Sequence, residues 1–466
     1  MKHDRRPVHA AAPAGPLPDL SEFQLRDTDA TDLFGVFLAV HALPGAILLL
    51  HATVGCKFKT QLQLVGHDRV RESHNQRLWT GLDDVDLIAG SGRRLVEFAR
   101  TWYDRRKPFL FVVATTTPIE LSGMDVDAAV EDLRAAVPCP VLLIRTPGWS
   151  GSPWRGYRRA TTAVASLLPW AARPPDPAAV AIAGYVFDRF EADHAANLAE
   201  LKRMLVGAGL RLAGTLFSGA DLESLADAAS AATVVALPCA HAAVPDLSAA
   251  AGPGRTVVAA DLPVGVRGSA AFLRAVASAA GVPAARVEEA ASRDAAAASR
   301  RMEPAASRLR GASAALFLAT PTAAAVHAFL DELGVTTRLV CLTDGEEADP
   351  DAFRRAAERM GVRHAGAASP GPGPGAAPAP EVLANPSRDG ALDALDRVRR
   401  GGGPVPLVVG SSVQQAALRA EGTPVVVLGY PATTRHFVHP VPWMGFAGAP
   451  ALAQRFLDAA TVNLAF

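Results

Sequence analysis

Short apolar runs alternate with amphipathic stretches along most of the chain. Apolar runs bounded by Gly, Pro or polar residues predict buried strands, and apolar positions spaced three and four apart predict helices. Alternation of the two is typical of βαβ units in parallel sheets. Strands are predicted at Ala46–Leu50, Phe109–Ala114, Val141–Ile144, Val180–Ala183, Thr233–Leu237, Thr256–Ala259, Ala314–Leu318, Arg338–Leu342, Pro406–Val409 and Pro424–Leu428. Helices are predicted at Val96–Asp104, Val126–Ala136, Ala195–Ala208, Ala270–Ala280 and Ala323–Leu333.

These strands are too many for one doubly wound sheet, and the chain is too long for one core. We therefore predict an α/β protein of three Rossmann-like domains with parallel sheets. Residues 1–25 form a disordered tail, and the domains cover 26–175, with Cys56, then 176–310 and 311–466. The breaks fall at the proline-rich stretch 173–177 and in the charged stretch 293–310, and the third domain carries a flexible Gly/Pro loop at 366–380.

Composition narrows the class of protein. Lys plus Arg equals Asp plus Glu at 46 each, so a nucleic-acid partner is not expected. No apolar run is long enough to span a membrane, and the first twenty residues lack the apolar core of a signal peptide. Four separated cysteines without a CxxC pair fit a reducing cytoplasm. No GxGxxG follows a strand and no GxxxxGK[ST] occurs, so we expect no nucleotide to be bound by this chain.

Cys56 is the strongest candidate for chemistry, because it follows the predicted strand Ala46–Leu50. A thiol at the carboxyl edge of a sheet lies where α/β folds bind their ligands. It can be a nucleophile, a metal ligand or an iron–sulfur ligand, and the alternative is a small buried apolar residue. Cys139 and Cys341 are predicted to be packing residues. Cys239, with His241 nearby, follows another strand and is a possible substrate or cofactor position.

The segment after Cys56 is unusually polar for a sheet edge. It contains Lys57, Lys59, Gln61, Gln63, His67, Asp68, Arg69, Arg71, Glu72, Ser73, His74, Asn75, Gln76 and Arg77. A solvated helix face explains such a run in most proteins. Here, however, Lys57 and Lys59 flank the thiol, and nearby positive charge favours a thiolate and compensates an anionic cluster.

Three separated stretches resemble, in the same order, segments of one known family. His51–Cys56 is similar to a His-Gly-Pro-x-Gly-Cys segment that follows a strand. The stretch 115–125 is similar to Cys-Pro/Thr-x-x-Leu-Ile-Gly-Asp-Asp, and Gly156-Tyr157 follows it. The stretch 428–448 resembles the Gly-(Phe/Tyr)-Pro…Arg-His-x-x-His…Gly-Tyr-x-Gly segment of β-type subunits. The family is that of the nitrogenase component 1-like proteins: nitrogenase, its cofactor-assembly scaffold, and the dark-operative protochlorophyllide and chlorophyllide reductases.

The departures from the family matter as much as the likeness. Members with a full complex cluster contribute three cysteines per subunit in the first domain, whereas here no Cys lies around 30–34 and Thr117 stands at the third position. This pattern resembles the β-type subunit of the protochlorophyllide enzyme, which supplies a single ligand. The resemblance therefore implies a [4Fe–4S] cluster that Cys56 shares with a partner subunit. The alternative is that the cluster has been lost and Cys56 is only buried.

The resemblance implies a β-type subunit of a nitrogenase-like oxidoreductase, heterotetrameric with an α-like subunit. A separate ATP-dependent iron–sulfur reductase protein would deliver the electrons, and the candidate residues for docking it are Lys57, Lys59, Arg69, Arg71 and Arg77. Two alternatives remain: a non-catalytic scaffold for metallocofactor assembly, and a cluster-free structural partner subunit. The segment 429–448 is expected to be an irregular wall in which His436 and His439 are hydrogen-bonded residues that ligate no metal.

Overall fold

A computed structural model describes residues 31–53, 55, 76–148, 151–184, 193–363, 379–419, 422–429, 432, 434–435, 439 and 441–464. The predicted tail 1–25, most of the loop 366–380, and Cys56 lie outside these residues. Within the described part of the chain, no helix is both long enough and apolar enough to cross a membrane.

Strands and helices alternate through the chain, as the apolar pattern predicts. The strands are β1 (Ala46–Leu50), β2 (Arg77–Trp79), β3 (Leu110–Ala114), β4 (Val141–Ile144), β5 (Asp176–Ala183), β6 (Arg211–Thr215), β7 (Ala231–Ala236), β8 (Thr256–Ala259), β9 (Ser313–Leu318), β10 (Thr336–Leu342), β11 (Glu381–Ala384), β12 (Leu407–Gly410) and β13 (Val425–Val427). The helices are α1 (Asp32–His41), α2 (Asp84–Ala89), α3 (Gly92–Arg106), α4 (Thr117–Leu121), α5 (Val126–Ala136), α6 (Pro153–Leu167), α7 (His194–Gly207), α8 (Leu222–Ala228), α9 (Val244–Ala251), α10 (Gly265–Ala279), α11 (Ala284–Leu309), α12 (Thr320–Glu332), α13 (Pro350–Arg359), α14 (Arg388–Gly402), α15 (Ser412–Leu418) and α16 (Gly445–Leu464). Short 3₁₀ helices cover Trp170–Ala172, Pro238–Ala243 and Gly345–Glu347.

The strands form three parallel sheets, which confirms the predicted fold class. Sheet 1 has the order β2-β1-β3-β4, sheet 2 the order β6-β5-β7-β8, and sheet 3 the order β11-β10-β9-β12-β13. In each sheet the strand order reverses at one point: between β1 and β3, between β5 and β7, and between β9 and β12. Ligands of open α/β sheets bind in the crevice beyond the carboxyl ends of the strands at such a reversal.

The central strands form where the apolar runs are longest. All five residues of β1 and of β3 are buried, and the two strands pair in register from Ala46 with Leu110 to Leu50 with Ala114. A parallel sheet covered by helices on both faces buries every side chain, so its strands read as continuous apolar runs. This is why the sequence pattern located these strands to within one residue.

Sheet 2 carries an apolar core on each of its faces. Ala181 of β5 belongs to the cluster that includes Leu48 of β1, whereas the next residue, Ile182, belongs to the cluster that includes Leu316 of β9. Since successive side chains of a strand point to opposite faces, sheet 2 packs towards sheet 1 on one side and sheet 3 on the other. The domain limits at 175 and 310 stay a prediction. The charged stretch chosen for the second limit lies largely within α11.

The last helix, α16, and the residues just before it connect the part of the chain that forms sheet 3 with the part that forms sheet 2. The Asn197 side chain on α7 accepts hydrogen bonds from the backbone N–H groups of Trp443 (2.9 Å) and Met444 (3.1 Å). The Gly445 N–H donates to the Pro263 carbonyl at 2.7 Å, and α16 then runs against α7, α10 and α11. The sequence-based expectation of an irregular segment through residue 448 is therefore wrong at its end, because residues 445–448 begin α16.

Candidate functional site

The carboxyl ends of β1 and β3 form the edge that the sequence predicts as the functional site. The chain leaves β1 at His51, whose backbone N–H still bonds to the Ala114 carbonyl at 3.2 Å. The Thr116 hydroxyl, which follows β3, donates to the His51 carbonyl at 3.3 Å. Thr53 forms an isolated parallel bridge with Leu82, beyond β2. Three segments thus meet at the carboxyl edge of sheet 1, and two of them, those that follow β1 and β3, border its strand reversal.

The His51 side chain is fully buried at this edge and is held by two hydroxyl groups. Its Nε2 lies 2.8 Å from the Ser91 Oγ, and its Nδ1 lies 3.2 Å from the Thr80 Oγ1. Burial lowers the pKa of the imidazole from its ordinary 6.5 to about 4; the Arg94 cation acts in the same direction and the Asp86 carboxylate opposes it. The ring is therefore neutral at pH 7, and with both nitrogens engaged it serves to fix the edge.

Thr117 is the residue that the family resemblance places at the position of a third cysteine. It begins α4, and its hydroxyl donates to the Pro147 carbonyl. A Cβ added at Gly148, whose φ is +81°, would lie only 2.7 Å from that hydroxyl oxygen. This side chain therefore joins the loops after β3 and β4, and an alcohol engaged in this way supplies no soft metal ligand.

Cys56, Lys57, Lys59, Arg69 and Arg71 lie outside the described residues. Their proposed roles stay predictions.

Arg77 is described, and its position is a correction to the predicted docking set. It is only 5% exposed, its guanidinium lies 5.2 Å from the centre of the Phe37 ring, and it begins β2, at the amino end of that strand. It thus lies at the far end of β2 from the candidate edge. A side chain buried in this way packs within the subunit, so we leave Arg77 out of the docking surface.

The other cysteines lie apart from this edge. Cys341 is completely buried in β10, as predicted, and burial raises the pKa of its thiol to about 12. Cys139 is half-buried just before β4, where burial also raises its pKa. Within the described ranges, no group of three or more His, Cys, Asp and Glu side chains is arranged to hold a metal ion.

Cys239 and His241 follow β7 at the carboxyl edge of sheet 2. Cys239 is 3% exposed, and burial raises the pKa of its thiol to about 12. The His241 Nε2 lies 3.0 Å from the Ala260 carbonyl oxygen, to which it donates. Both residues line a cavity between the three sheets, together with Trp154 of α6 and Thr320 of α12.

Thr80 and Ser91 complete the edge, and the sequence does not predict that either contacts His51. They lie 29 and 40 positions from His51. No motif marks them, because a hydroxyl that satisfies a distant buried imidazole has no characteristic spacing. His439, expected to be hydrogen-bonded, is exposed, and His436 lies outside the described residues.

Three parallel sheets whose strand orders each reverse once make this chain an α/β protein of three Rossmann-like sheets. The family model of the nitrogenase component 1 type oxidoreductases matches residues 31–461. The chain belongs to this family.

Two curated relatives carry the name of a cofactor biosynthesis protein. The nitrogenase iron-molybdenum cofactor biosynthesis protein NifN of Rippkaea orientalis (strain PCC 8801 / RF-1) is 30% identical over 127 residues, 26% of this chain and 27% of that protein. The protein of the same name from Rhizobium meliloti (strain 1021) is 30% identical over 139 residues, 29% of this chain and 31% of that protein. The chain thus matches less than a third of the length of each of these two relatives.

Solved structures of similar fold are nitrogenase proteins. "Nitrogenase Cp1 at pH 6.5" has a TM-score of 0.72 and 16% identity, covering 98% of this chain and 96% of the other. "Nitrogenase Cp1 at pH 5" has a TM-score of 0.69 and 15% identity, covering 94% and 89%. At such identities the likeness establishes a common fold.

Proposed function

We propose that this chain is the β-type subunit of a nitrogenase-like complex that accepts electrons from an ATP-dependent iron–sulfur reductase protein. In this proposal Cys56 supplies one thiolate to a [4Fe–4S] cluster shared with an α-like subunit. The observation that carries the proposal is the course of the chain, which leaves β1 at the strand reversal of sheet 1 and reaches a cysteine within six residues of Leu50. That is where an open α/β sheet binds its ligand.

The donor set supports a shared cluster over one held by this chain alone. A [4Fe–4S] cluster takes four ligands, usually thiolates. Cys139, Cys239 and Cys341 belong to other strands or other sheets, two of them fully buried with thiol pKa values near 12. When bound, the cluster would supply one-electron transfer. The chain's own part would be to hold the sheet edge rigid through the His51 contacts.

The surface beside this edge suits a partner subunit. On α2, Val85 is 71% exposed and Ile88 is 88% exposed. This helix lies at the carboxyl edge, because the Arg94 guanidinium holds both the Asp86 carboxylate and the Gly81 carbonyl. Large apolar side chains next to each other on a surface are typical of interfaces. A partner subunit seated here would cover them together with the segment that carries Cys56.

A scaffold for metallocofactor assembly is the second candidate. It is favoured by the relatives of 30% identity, both of which are iron-molybdenum cofactor biosynthesis proteins. A scaffold would share the fold, the partner subunit and the cluster, and would differ in having no turnover of its own. A cluster-free subunit that only completes the partner's fold is the third.

Replacing Cys56 tests the cluster. We expect the Cys56→Ala variant, co-expressed with the α-like subunit and purified anaerobically, to lose iron and the EPR signal of the reduced cluster. Cys139→Ala is the matched control, because it removes a half-buried thiol just before β4, at the amino-terminal end of that strand. Iron content and EPR signal unchanged in Cys56→Ala would contradict the proposal, and a wild-type complex without iron would favour the cluster-free subunit.

Turnover separates the first two candidates. The wild-type complex, mixed with the reductase protein and MgATP, is expected to oxidise the reductase continuously when substrate is present. A complex that contains iron, but that releases a bound cofactor precursor to an acceptor protein without continuous ATP-dependent turnover, would identify the scaffold.

A further inference from the structure

Sheets 1 and 3 are both packed on sheet 2, but they contact each other in a different way. Apolar clusters bury the contacts of sheet 2 with sheet 1 and with sheet 3. From the part of the chain that forms sheet 3, the cluster around sheet 1 includes one described residue, Ala319. The contact between the parts that form sheets 1 and 3 therefore depends little on apolar burial. Three hydrogen bonds between described residues cross it at a single turn.

The turn is the 3₁₀ helix that follows β10, and two glutamates on it accept the three hydrogen bonds. Glu346 accepts from the Gly151 backbone N–H at 3.2 Å. Glu347 accepts from the Ser152 hydroxyl at 3.4 Å and from the Arg158 guanidinium at 3.2 Å. Gly151 and Ser152 lie directly before α6, and Arg158 lies within it. We call these contacts the glutamate strap, because they hold the amino-terminal end of α6 against the turn after β10.

The glutamate strap is weak compared with the apolar contacts of sheet 2. The side chains of Arg158 and Glu347 are 22% and 32% exposed, and Glu346 is exposed. An ion pair between partly exposed side chains shifts an equilibrium by about fivefold or less, because water screens the charges and both side chains lose rotamer freedom. Breaking such a contact does not require either sheet to unfold.

The glutamate strap also covers a buried thiol. Arg158, Glu347 and Cys239 line the same cavity between the sheets. Burial raises the pKa of the Cys239 thiol to about 12, while the Arg158 cation lowers it and the Glu347 carboxylate raises it. At neutral pH this buried thiol is protonated and unreactive, whereas an exposed thiol, with a pKa of about 8.5, forms the reactive thiolate far more readily. The reactivity of Cys239 therefore reports whether the strap is closed.

We propose that the glutamate strap is a reversible closure: when its hydrogen bonds break, the parts of the chain that form sheets 1 and 3 move apart and expose the carboxyl edge of sheet 2 around Cys239. The apolar clusters of sheet 2 are separate from the strap, so the movement is a small shear of packed layers without unfolding. Charges hold the closure, so salt and the removal of a charge open it. The closure is independent of the cluster proposed at Cys56.

Alkylation of the reduced full-length protein with N-ethylmaleimide tests the proposal, with the cysteine peptides resolved by mass spectrometry. Cys341, which is completely buried in β10, reports unfolding of sheet 3, and the half-buried Cys139 is the reference for a partly exposed thiol. In the wild type, Cys239 should react more slowly than Cys139 and faster than Cys341. Added salt should speed the reaction of Cys239, because it screens the ion pair of the strap.

Removing the strap should open the closure. In the Glu346→Ala/Glu347→Ala double variant, Cys239 should react about tenfold faster than in the wild type, because the ion pair and two further hydrogen bonds are lost. Arg158→Gln breaks the same ion pair from the side of α6 and should increase the rate by about fivefold. Glu358→Ala is the matched control, because it removes an exposed glutamate of α13 that does not line the cavity, and it should react as the wild type does.

Faster reaction of Cys239 at an unchanged rate of Cys341 supports the closure. The proposal is overturned if Cys239 reacts at the same rate in the wild type, the strap variants and the control. It is also overturned if Cys239 and Cys341 accelerate together, because the variants then loosen the whole of sheet 3. If the double variant does not fold, as judged by circular dichroism, the Arg158→Gln result decides.

Discussion

At the scale of single residues, His51 shows how this chain builds a rigid sheet edge without a charge. Its two ring nitrogens meet the Ser91 and Thr80 hydroxyls, and the Ser91 Oγ in turn contacts the Met124 sulfur at 3.1 Å. A buried imidazole that is satisfied on both sides keeps its orientation. The edge that leads to Cys56 is therefore fixed by neutral hydrogen bonds between four separate segments.

The titration of His51 gives a stability prediction with a definite sign. Its pKa is about 4 in the folded protein and 6.5 in the unfolded chain, so the unfolded chain takes up the proton first as the pH falls. The free energy of unfolding should therefore decrease between pH 6.5 and 4, by up to about 3 kcal/mol from this group. Urea unfolding at a series of pH values measures it.

The His51→Gln variant isolates this effect, because every other titrating group is kept. Its free energy of unfolding should be lower than that of the wild type at pH 7, by about 1–3 kcal/mol for the lost contacts, and the difference should shrink towards pH 4. The exposed His439 is the control, and His439→Gln should follow the wild-type pH profile. A constant difference between His51→Gln and the wild type across this pH range would disprove the assigned protonation state.

At the scale of elements, the sequence pattern found the central strands and missed one edge strand in each sheet. The missed strands are β2, β6 and β11, and each lies at the end of its sheet next to the first or second strand. Their residues are Arg-Leu-Trp, Arg-Leu-Ala-Gly-Thr and Glu-Val-Leu-Ala, and most of the residues in β6 and β11 are only partly buried. An edge strand has one neighbour and less cover, so it lacks the continuous apolar run that marks a central strand.

The contact between α1 and α6 depends on two glycines. A Cβ at Gly35 would lie 1.8 Å from the Pro153 carbonyl oxygen, and a Cβ at Gly156 would lie 1.8 Å from the Asp32 carbonyl oxygen. Each helix thus places a glycine against the other helix's first turn, and the backbones touch. The sequence marks Gly156 only as part of a family motif. The structure explains why a glycine is needed there, because no side chain fits between the two helices.

We expect Gly156→Ala to lower the free energy of unfolding by about 3 kcal/mol or more, because backbone atoms must move apart to admit a methyl group. Gly401→Ala is the matched control, since Gly401 lies in α14 and an added Cβ there meets nothing within 4 Å. That change should be neutral or raise stability by about 0.5–1 kcal/mol. Urea unfolding of both variants measures the two free energies of unfolding. Equal values would show that α1 and α6 can move apart without loss of stability.

At the scale of the whole molecule, the strand reversals organise the candidate sites. The reversal in sheet 1 leads to Cys56, and those in sheets 2 and 3 border the cavity that Cys239 and His241 line. The sequence located the first, because a cysteine after an apolar run is visible in one segment. Of the residues that line the cavity, the sequence pattern indicated only Cys239 and His241. The cavity brings together residues from α6, sheet 2 and sheet 3, and no local pattern encodes such an arrangement.

Substitution of an exposed apolar residue on α2 tests whether the carboxyl edge of sheet 1 is a subunit interface. Ile88 is 88% exposed. Ile88→Glu should leave the free energy of unfolding of the isolated chain unchanged, because surface substitutions of this kind stay within about ±0.5 kcal/mol. In co-expression with the α-like subunit, the same change should block assembly, since a charge would be buried without a partner. Val206→Glu on α7 is the control, because Val206 is 58% exposed and lies in the second sheet's segment. Size-exclusion chromatography with light scattering should show a heteromer for Val206→Glu and separate subunits for Ile88→Glu. If both variants assemble like the wild type, the partner contacts another surface, and a cluster shared across the carboxyl edge of sheet 1 would have no interface to occupy.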